Sequence, residues 1–267
     1  MPLARVNGTQ LYYEDTGGDG QPLVFSHGLL WSTRMWDAQV DHFRDRFRCI
    51  AYDHRGQGRS AKPFGSSVPI ETCYDDAVAL IEHLDLAPCH FVGLSMGGFV
   101  GMRIAARRSD LLKSCSLLET SADPEPEENR LKYGLLNMSA KHVGIGVVTS
   151  RVMPIMFGKT FLTDPARAKE RAYWRDLAAA NDRSIWRAVN GVVERRSVID
   201  ELSRVRVPTL VVVGDEDIAT VPAKAKRIAE RIPNATLEVI AQAGHTSNVE
   251  QPRAVNAVLE RFIASHR

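Results

Sequence analysis

The sequence contains few cysteines, no long apolar run and no excess of either charge. The spacing of Cys49, Cys73, Cys89 and Cys115 shows no paired metal-ligand pattern, so we predict buried free thiols and no metal site. No apolar run reaches the length of a membrane span and the first residues lack a signal-peptide pattern, which predicts a cytoplasmic protein without a membrane partner. The 34 basic and 32 acidic residues are interspersed and leave a net charge of +2, which argues against nucleic acid as a partner.

The chain has enough apolar sequence for a large core, and its strand-like and helix-like segments alternate. Of its 267 residues, 44% are hydrophobic. The segments "PLVFSHG", "FRCIAYD", "CHFVGL" and "KSCSLLE" are typical of strands, whereas "ETCYDDAVALIEHLD" has helical spacing of its apolar residues. This alternation predicts an α/β fold with a mostly parallel, twisted sheet and helices on both faces. The turn residues of "TGGDGQ", between "LYYED" and "PLVFSHG", predict a β-hairpin.

The alternation of strands and helices is interrupted after Glu119. Residues 121–198 contain only helix-like stretches such as "ARAKERAYWRDLAAAN", and strand-like sequence resumes at "PTLVVVGDED". We therefore predict an α/β core formed by residues 1–120 and 199–267, with a helical insertion over residues 121–198.

A serine lies between glycines where a strand pattern changes to a helix pattern. In "GLSMGG", Gly93, Ser95 and Gly97 form a G-x-S-x-G motif between "CHFVGL" and the helix-like "FVGMRIAA". Small neighbours allow a sharp strand-to-helix turn that lifts the serine hydroxyl clear of the sheet. The motif favours a nucleophilic serine over a permissive glycine-rich turn, provided that a base and an acid are found elsewhere.

Candidates for the base and the acid follow two later strands. Asp215, Glu216 and Asp217 follow "LVVVG", and His245 follows "LEVIAQAG". Ligand-facing groups of such a sheet lie at the carboxyl ends of its strands, and the order serine, acid, histidine is the one associated with G-x-S-x-G. A serine hydroxyl needs a base to remove its proton and an acceptor to orient that base. The sequence thus predicts a Ser-His-Asp arrangement, with Asp217 and Asp215 both open as the acid.

Five segments resemble the α/β-hydrolase superfamily, and within it the cofactor-free esterases, haloperoxidases and 3-oxoadipate enol-lactonases. They are "FSHGLL", "AYDHRGQGRS", "GLSMGG", "VVVGDEDIATVP" and "AGHTSNVEQP". The resemblance implies the α/β-hydrolase fold, a helical cap formed by the insertion, and catalysis without a cofactor.

The resemblance also implies individual roles for site residues. Ser95 would be the nucleophile, His245 the general base, and Asp217, rather than Asp215, the orienting carboxylate. The backbone N–H groups of Leu29 and Met96 would form the oxyanion hole. His27, which precedes them in "SHG", is expected to structure the loop and to take no part in the reaction.

The implied function is that of a carboxylesterase acting on small to medium esters through an acyl-enzyme. The alternative is an enol-lactonase, with peroxide as a possible acyl acceptor in a side activity; the non-enzyme alternative is a ligand sensor of hydrolase fold. An enol-lactone substrate carries a carboxylate, for which Arg130, Arg151 or Arg187 would supply a cation.

Apolar residues of the insertion are expected to pack within it and, as a group, to form a lid: Met153, Met156, Phe157, Phe161, Trp174 and Trp186. A homodimer is a further possibility.

Overall fold

The computed structural model describes residues 2–266, apart from the side chain of Lys132. Within that range the chain forms one sheet of eight strands. The strands are β1 (Leu3–Val6), β2 (Thr9–Asp15), β3 (Gln21–Ser26), β4 (Phe47–Tyr52), β5 (Cys89–Leu94), β6 (Leu112–Leu118), β7 (Thr209–Gly214) and β8 (Thr236–Ile240). Their order across the sheet is β1-β2-β4-β3-β5-β6-β7-β8.

The sheet is parallel from β4 to β8, and only β1 and β2 run antiparallel to their neighbours. Every residue of the central strand β5 is buried, as expected for a strand covered on both faces. The outer strand β8 exposes most of its residues. The predicted α/β fold with a mostly parallel sheet is therefore confirmed.

The predicted hairpin between "LYYED" and "PLVFSHG" is wrong. Strand β2 pairs with β4, so β4 lies between β2 and β3. The reason is burial, since five of the six residues of β4 are buried and need neighbouring strands on both sides. The hairpin that does form joins β1 to β2 through Asn7 and Gly8, both with positive φ. This is the Asn-Gly turn that two-residue hairpins favour.

Helices cover both faces of the sheet. They are α1 (Asp37–Phe43), α2 (Ile70–His83), α3 (Met96–Arg107), α4 (Glu127–His142), α5 (Thr149–Met156), α6 (Lys159–Thr163), α7 (Ala168–Ala179), α8 (Trp186–Val193), α9 (Pro222–Arg231), α10 (Ser247–Glu250) and α11 (Pro252–Ala264). One face packs on α2, α3 and α9, and the other on α1 and α11, which gives two large apolar clusters separated by the sheet.

Between β6 and β7 the described chain forms helices and no strand, and α4 to α8 all lie there. We call residues 121–198 the helical segment. Whether it is a separate cap, with boundaries at residues 120 and 198, stays a prediction. Within residues 2–266, no helix combines the length and the apolar character needed to cross a membrane.

Candidate active site

Ser95 lies on the sharp turn between β5 and α3, in a conformation that L-residues rarely adopt. Its φ is 53° and its ψ is −110°. A Cβ on Gly93 would lie less than 3.0 Å from the Gly97 carbonyl, and a Cβ on Gly97 less than 3.0 Å from the backbone of Ser26. Both glycines are therefore required by close backbone packing, and the surrounding structure holds the strained serine in place.

The structure brings Ser95, His245 and Asp217 into one hydrogen-bonded chain. His245 Nε2 lies 2.9 Å from Ser95 Oγ, and His245 Nδ1 lies 2.9 Å from Asp217 Oδ2. Each partner is supplied by a different loop at the carboxyl edge of the sheet: Ser95 follows β5, Asp217 follows β7 and His245 follows β8. All three are buried, with Ser95 the most accessible at 9%.

The hydrogen bonds around Asp217 determine how the imidazole is oriented. Asp217 Oδ1 accepts the N–H groups of Ala219 and Thr220, and Oδ2 accepts the Thr220 hydroxyl at 2.7 Å. Burial by itself raises the pKa of Asp217, but His245 and the Thr220 donors outweigh it and lower the pKa to about 2. An ionised carboxylate only accepts, so Nδ1 of His245 carries the proton and Nε2 faces Ser95 as an acceptor.

Asp215, the other candidate acid, takes part in a backbone turn. Its N–H donates to the Ile240 carbonyl at 3.0 Å, and its Oδ1 accepts the Ala243 N–H at 3.4 Å. The carboxylate on the His245 ring is that of Asp217. Asp215 instead ties the loop after β7 to the loop after β8.

The loop after β3 packs directly against the serine turn. A Cβ on Gly28 would lie 3.2 Å from the Leu94 side chain and 3.5 Å from Ser95 Cβ. His27 holds this loop, since its Nδ1 donates to the Gly28 carbonyl at 2.7 Å and its Nε2 accepts the His54 N–H at 2.9 Å. Burial lowers the pKa of His27, which keeps the ring neutral and suited to this pattern.

The Leu29 and Met96 amides lie on the two segments that meet at Ser95. The Met96 N–H is the first of α3, so it has no acceptor in its own helix. Among the described residues neither amide donates to a protein acceptor, whereas the neighbouring Leu30 N–H donates to Gln57 Oε1 at 2.8 Å. Both predicted donors thus remain available to an oxygen bound at Ser95.

A mostly apolar pocket opens above Ser95, between the core and the helical segment. Its empty volume, with open solvent at its mouth included, is about 850 Å³. The apolar walls come mainly from α4, α5 and α8 and from the loop after β3, and include Leu29, Leu30, Phe99, Leu136, Ile145, Val148, Val152, Ile155, Met156, Val189, Val192 and Val193.

The expected lid is made of different residues from those predicted. Of the six apolar residues named for it, only Met156 lines the pocket. Phe157 and Trp174 instead pack edge-on against Trp31, at ring distances of 5.8 and 5.4 Å. Phe161 stacks on Phe157. The aromatic cluster of Trp31, Phe157, Phe161 and Trp174 thus fastens the helical segment to the core and does not line the pocket at the serine.

The three arginines proposed as pocket cations do not line the pocket either. Arg187 donates to the Gly65 carbonyl and lies over the Trp186 ring, Arg130 donates to the Glu125 carbonyl, and Arg151 is exposed. The cation that lines the pocket is Arg195, which sequence reasoning missed because nothing in its neighbourhood signals burial.

Arg195 is buried as an ion pair. Its Nη1 lies 2.7 Å from Glu125 Oε2, and the two side chains are only 3% and 9% exposed. Its remaining contacts are the carbonyls of Asp123 and Val192 and the face of Phe99, 4.5 Å away. The guanidinium charge is therefore balanced within the protein before any ligand binds.

Two further carboxylates join the helical segment to the loops that carry Asp217 and His245. Glu250 accepts the N–H groups of Gly158, Gly244 and Thr246, at 2.8 to 3.2 Å, and Glu216 accepts the Thr160 N–H at 2.8 Å. We call Glu216 and Glu250 the carboxylate clamp. Gly158 and Thr160 belong to the helical segment, whereas Gly244 and Thr246 flank His245 and Glu216 itself precedes Asp217. In the sequence, Glu216 was named only as one of three carboxylates after "LVVVG", and Glu250, which lies in the quoted segment "AGHTSNVEQP", was not singled out.

Replacing Glu250 with glutamine is expected to lower the free energy of unfolding by about 1–3 kcal/mol, because the amide nitrogen cannot accept from the buried N–H groups. Urea unfolding followed by circular dichroism measures this loss. Glu230→Gln, on the exposed surface of α9, is the matched control and should change stability little. Equal stability of the Glu250 variant and the wild type would contradict a structural role for the clamp.

The fold and this constellation define an α/β hydrolase. Residues 23–258 match the alpha/beta hydrolase family, and the chain belongs to it. Over 258 residues it is 31% identical to 3-oxoadipate enol-lactonase 2 of Acinetobacter baylyi, with 94% of each chain covered. Two solved structures superpose on it with a TM-score of 0.91: the enol-lactonase from Burkholderia xenovorans LB400, at 29% identity over 98% of this chain and 100% of that one, and a thermophilic esterase from Thermogutta terrifontis, at 27% identity over 100% and 99%.

Proposed function

We propose that the protein is a carboxylesterase that hydrolyses neutral esters with apolar acyl groups. The observation that carries the proposal is the Ser95–His245–Asp217 chain, with both distances at 2.9 Å, at the base of an apolar pocket. The family match makes a hydrolase of this fold the starting point.

Each step follows from the position of one group. Ser95 Oγ attacks the ester carbonyl carbon as His245 Nε2 takes its proton, and Asp217 stabilises the imidazolium that forms. The tetrahedral oxyanion accepts the Leu29 and Met96 N–H groups, which are unpaired among the described residues. The alcohol leaves with the proton from His245, and water then attacks the acyl-enzyme by the same route. The strained backbone of Ser95 and the hydrogen bond from its hydroxyl to His245 Nε2 position the nucleophile before substrate binds.

The charge distribution of the pocket favours a neutral acyl group. The one cation among the described lining residues, Arg195, is already paired with Glu125. A substrate carboxylate would enter a mostly apolar space without a free counter-ion, and burying an unpaired charge is costly. An alkyl chain meets the side chains of α4, α5 and α8 at no such cost.

Enol-lactone hydrolysis is the second candidate, and the similarity to two proteins named enol-lactonases favours it. The same Ser95, His245 and Asp217 would open a lactone by the same steps. The two candidates differ in the charge of the substrate. An enol-lactone of that kind carries a carboxylate, and binding it would require Arg195 to exchange Glu125 for the substrate carboxylate.

A pair of esters of equal chain length separates the candidates. We expect kcat/KM for ethyl octanoate to exceed that for monoethyl suberate by about 10²-fold, because the second ends in a carboxylate. NMR detection of the released acid measures the rate for both esters. The Glu125→Gln variant leaves Arg195 unpaired, so the ratio of the two kcat/KM values should be smaller in this variant than in the wild type. Faster hydrolysis of the charged ester by the wild type would overturn the neutral-acyl assignment and favour the lactonase. Acylation without sustained turnover of any ester or lactone would favour the ligand sensor.

A further inference from the structure

One face of helix α4 exposes an apolar stripe. Leu131, Leu135 and Met138 follow one another at helical spacing and are 74%, 58% and 58% exposed. Two apolar side chains beyond the end of α4, Val143 and Val147, are also about 60% exposed. Soluble monomers rarely leave so many large apolar side chains of one region in water, and such a patch marks an interaction site.

The stripe borders a shallow groove that carries one charge of each sign. The groove is lined by Leu131, Leu135, Leu136 and Ser139, together with Glu128 from α4 and Arg151 from α5. Neither Glu128 nor Arg151 forms an ion pair with any side chain in the described part of the chain. An acid and a base beside the same apolar stripe are thus both available to an external partner.

We propose that the α4 stripe is the contact surface of a homodimer. A two-fold interface uses the same surface on both subunits. Each contact between two different residues therefore occurs twice, once with each residue supplied by each subunit. Two stripes would bury each other, and Glu128 of each copy would face Arg151 of the other. A patch that contains both charges is self-complementary, whereas an anionic lipid surface would select basic residues alone. The proposal does not depend on the proposed esterase activity.

Sedimentation velocity from about 1 to about 100 μM protein tests the dimer, because mass action converts monomer to dimer over such a range. We expect the wild type to dimerise and Leu135→Glu to remain monomeric. Phe64→Glu is the matched control, because Phe64 is 98% exposed and lies outside the stripe. A wild type that stays monomeric throughout, or a dimer that Leu135→Glu leaves intact, would overturn the proposal.

A charge swap tests the predicted pairing directly. Glu128→Arg and Arg151→Glu should each weaken the dimer by about 10-fold, since each places like charges together at two symmetric positions. The double variant Glu128→Arg/Arg151→Glu restores opposite charges and should recover the wild-type dissociation constant. Failure of the double variant to recover dimerisation would contradict this interface. If wild-type monomers bind anionic vesicles and Leu135→Glu abolishes that binding, the stripe is a lipid-contact surface and the dimer proposal is wrong.

Discussion

Replacing Ser95 with alanine is expected to lower kcat for ethyl octanoate by about 10⁵-fold, because no other group can form the acyl-enzyme. The variant should fold normally, since an alanine side chain adds no volume to the turn and removes only the hydrogen bond to His245. Stopped or continuous assays of acid release measure the rate, and circular dichroism verifies the fold.

Ser184→Ala is the matched control for Ser95→Ala. Ser184 has the same exposed fraction, 9%, but lies in the helical segment outside the pocket lining. Its alanine variant should keep the wild-type rate. A Ser95→Ala enzyme that keeps more than about 1% of wild-type activity would rule out Ser95 as the nucleophile. A loss of about 10²-fold is what the removal of one oxyanion donor costs, and it is too small for the removal of the nucleophile.

Asp217→Asn is expected to lower kcat by about 10⁴-fold, because asparagine no longer fixes the tautomer that leaves Nε2 of His245 as an acceptor. Asp215→Asn is the control, since its carboxylate contacts the Ala243 N–H and not the imidazole. Steady-state kinetics of the two variants with one ester decides between the acids. A larger loss in Asp215→Asn than in Asp217→Asn would reverse the assignment.

The pH dependence of Asp217 has a definite sign. Its pKa in the folded protein, about 2, lies below its ordinary value of 3.8. The ionised carboxylate therefore contributes stability that is fully present above pH 3.8 and is lost as the pH falls toward 2. Asp217 remains charged throughout the neutral and mildly acidic range, so loss of activity in that range must come from another group.

Much of the fold could be predicted from local pattern, because parallel strands buried on both faces give continuous apolar runs such as Cys89–Leu94. The pairing of β2 could not, because it depends on the burial of β4, a strand more distant in sequence. The hairpin that does form lies one strand earlier, where the Asn7-Gly8 dipeptide carries the local turn signal.

The site was predictable only where chemistry is tied to a motif. Ser95, Asp217 and His245 each follow a strand, so sheet topology brings them together. The pair Glu125 and Arg195 forms between residues 70 positions apart in the helical segment, and no periodicity predicts that an arginine in the loop after α8 is buried. The pocket lid was misassigned for the same reason, because helix packing decides which apolar face meets the substrate.

The carboxylate clamp has a consequence for how substrate reaches the serine. Glu250 and Glu216 attach the junction of α5 and α6 to the loops that hold His245 and Asp217, so displacing this junction would also displace the reacting groups. The side-chain hydrogen bonds of Asn129 and Asn137 on α4, in contrast, stay within the helical segment. Entry of the ester and departure of the products are therefore expected along the α4 side, while the opposite wall stays closed through the whole reaction cycle.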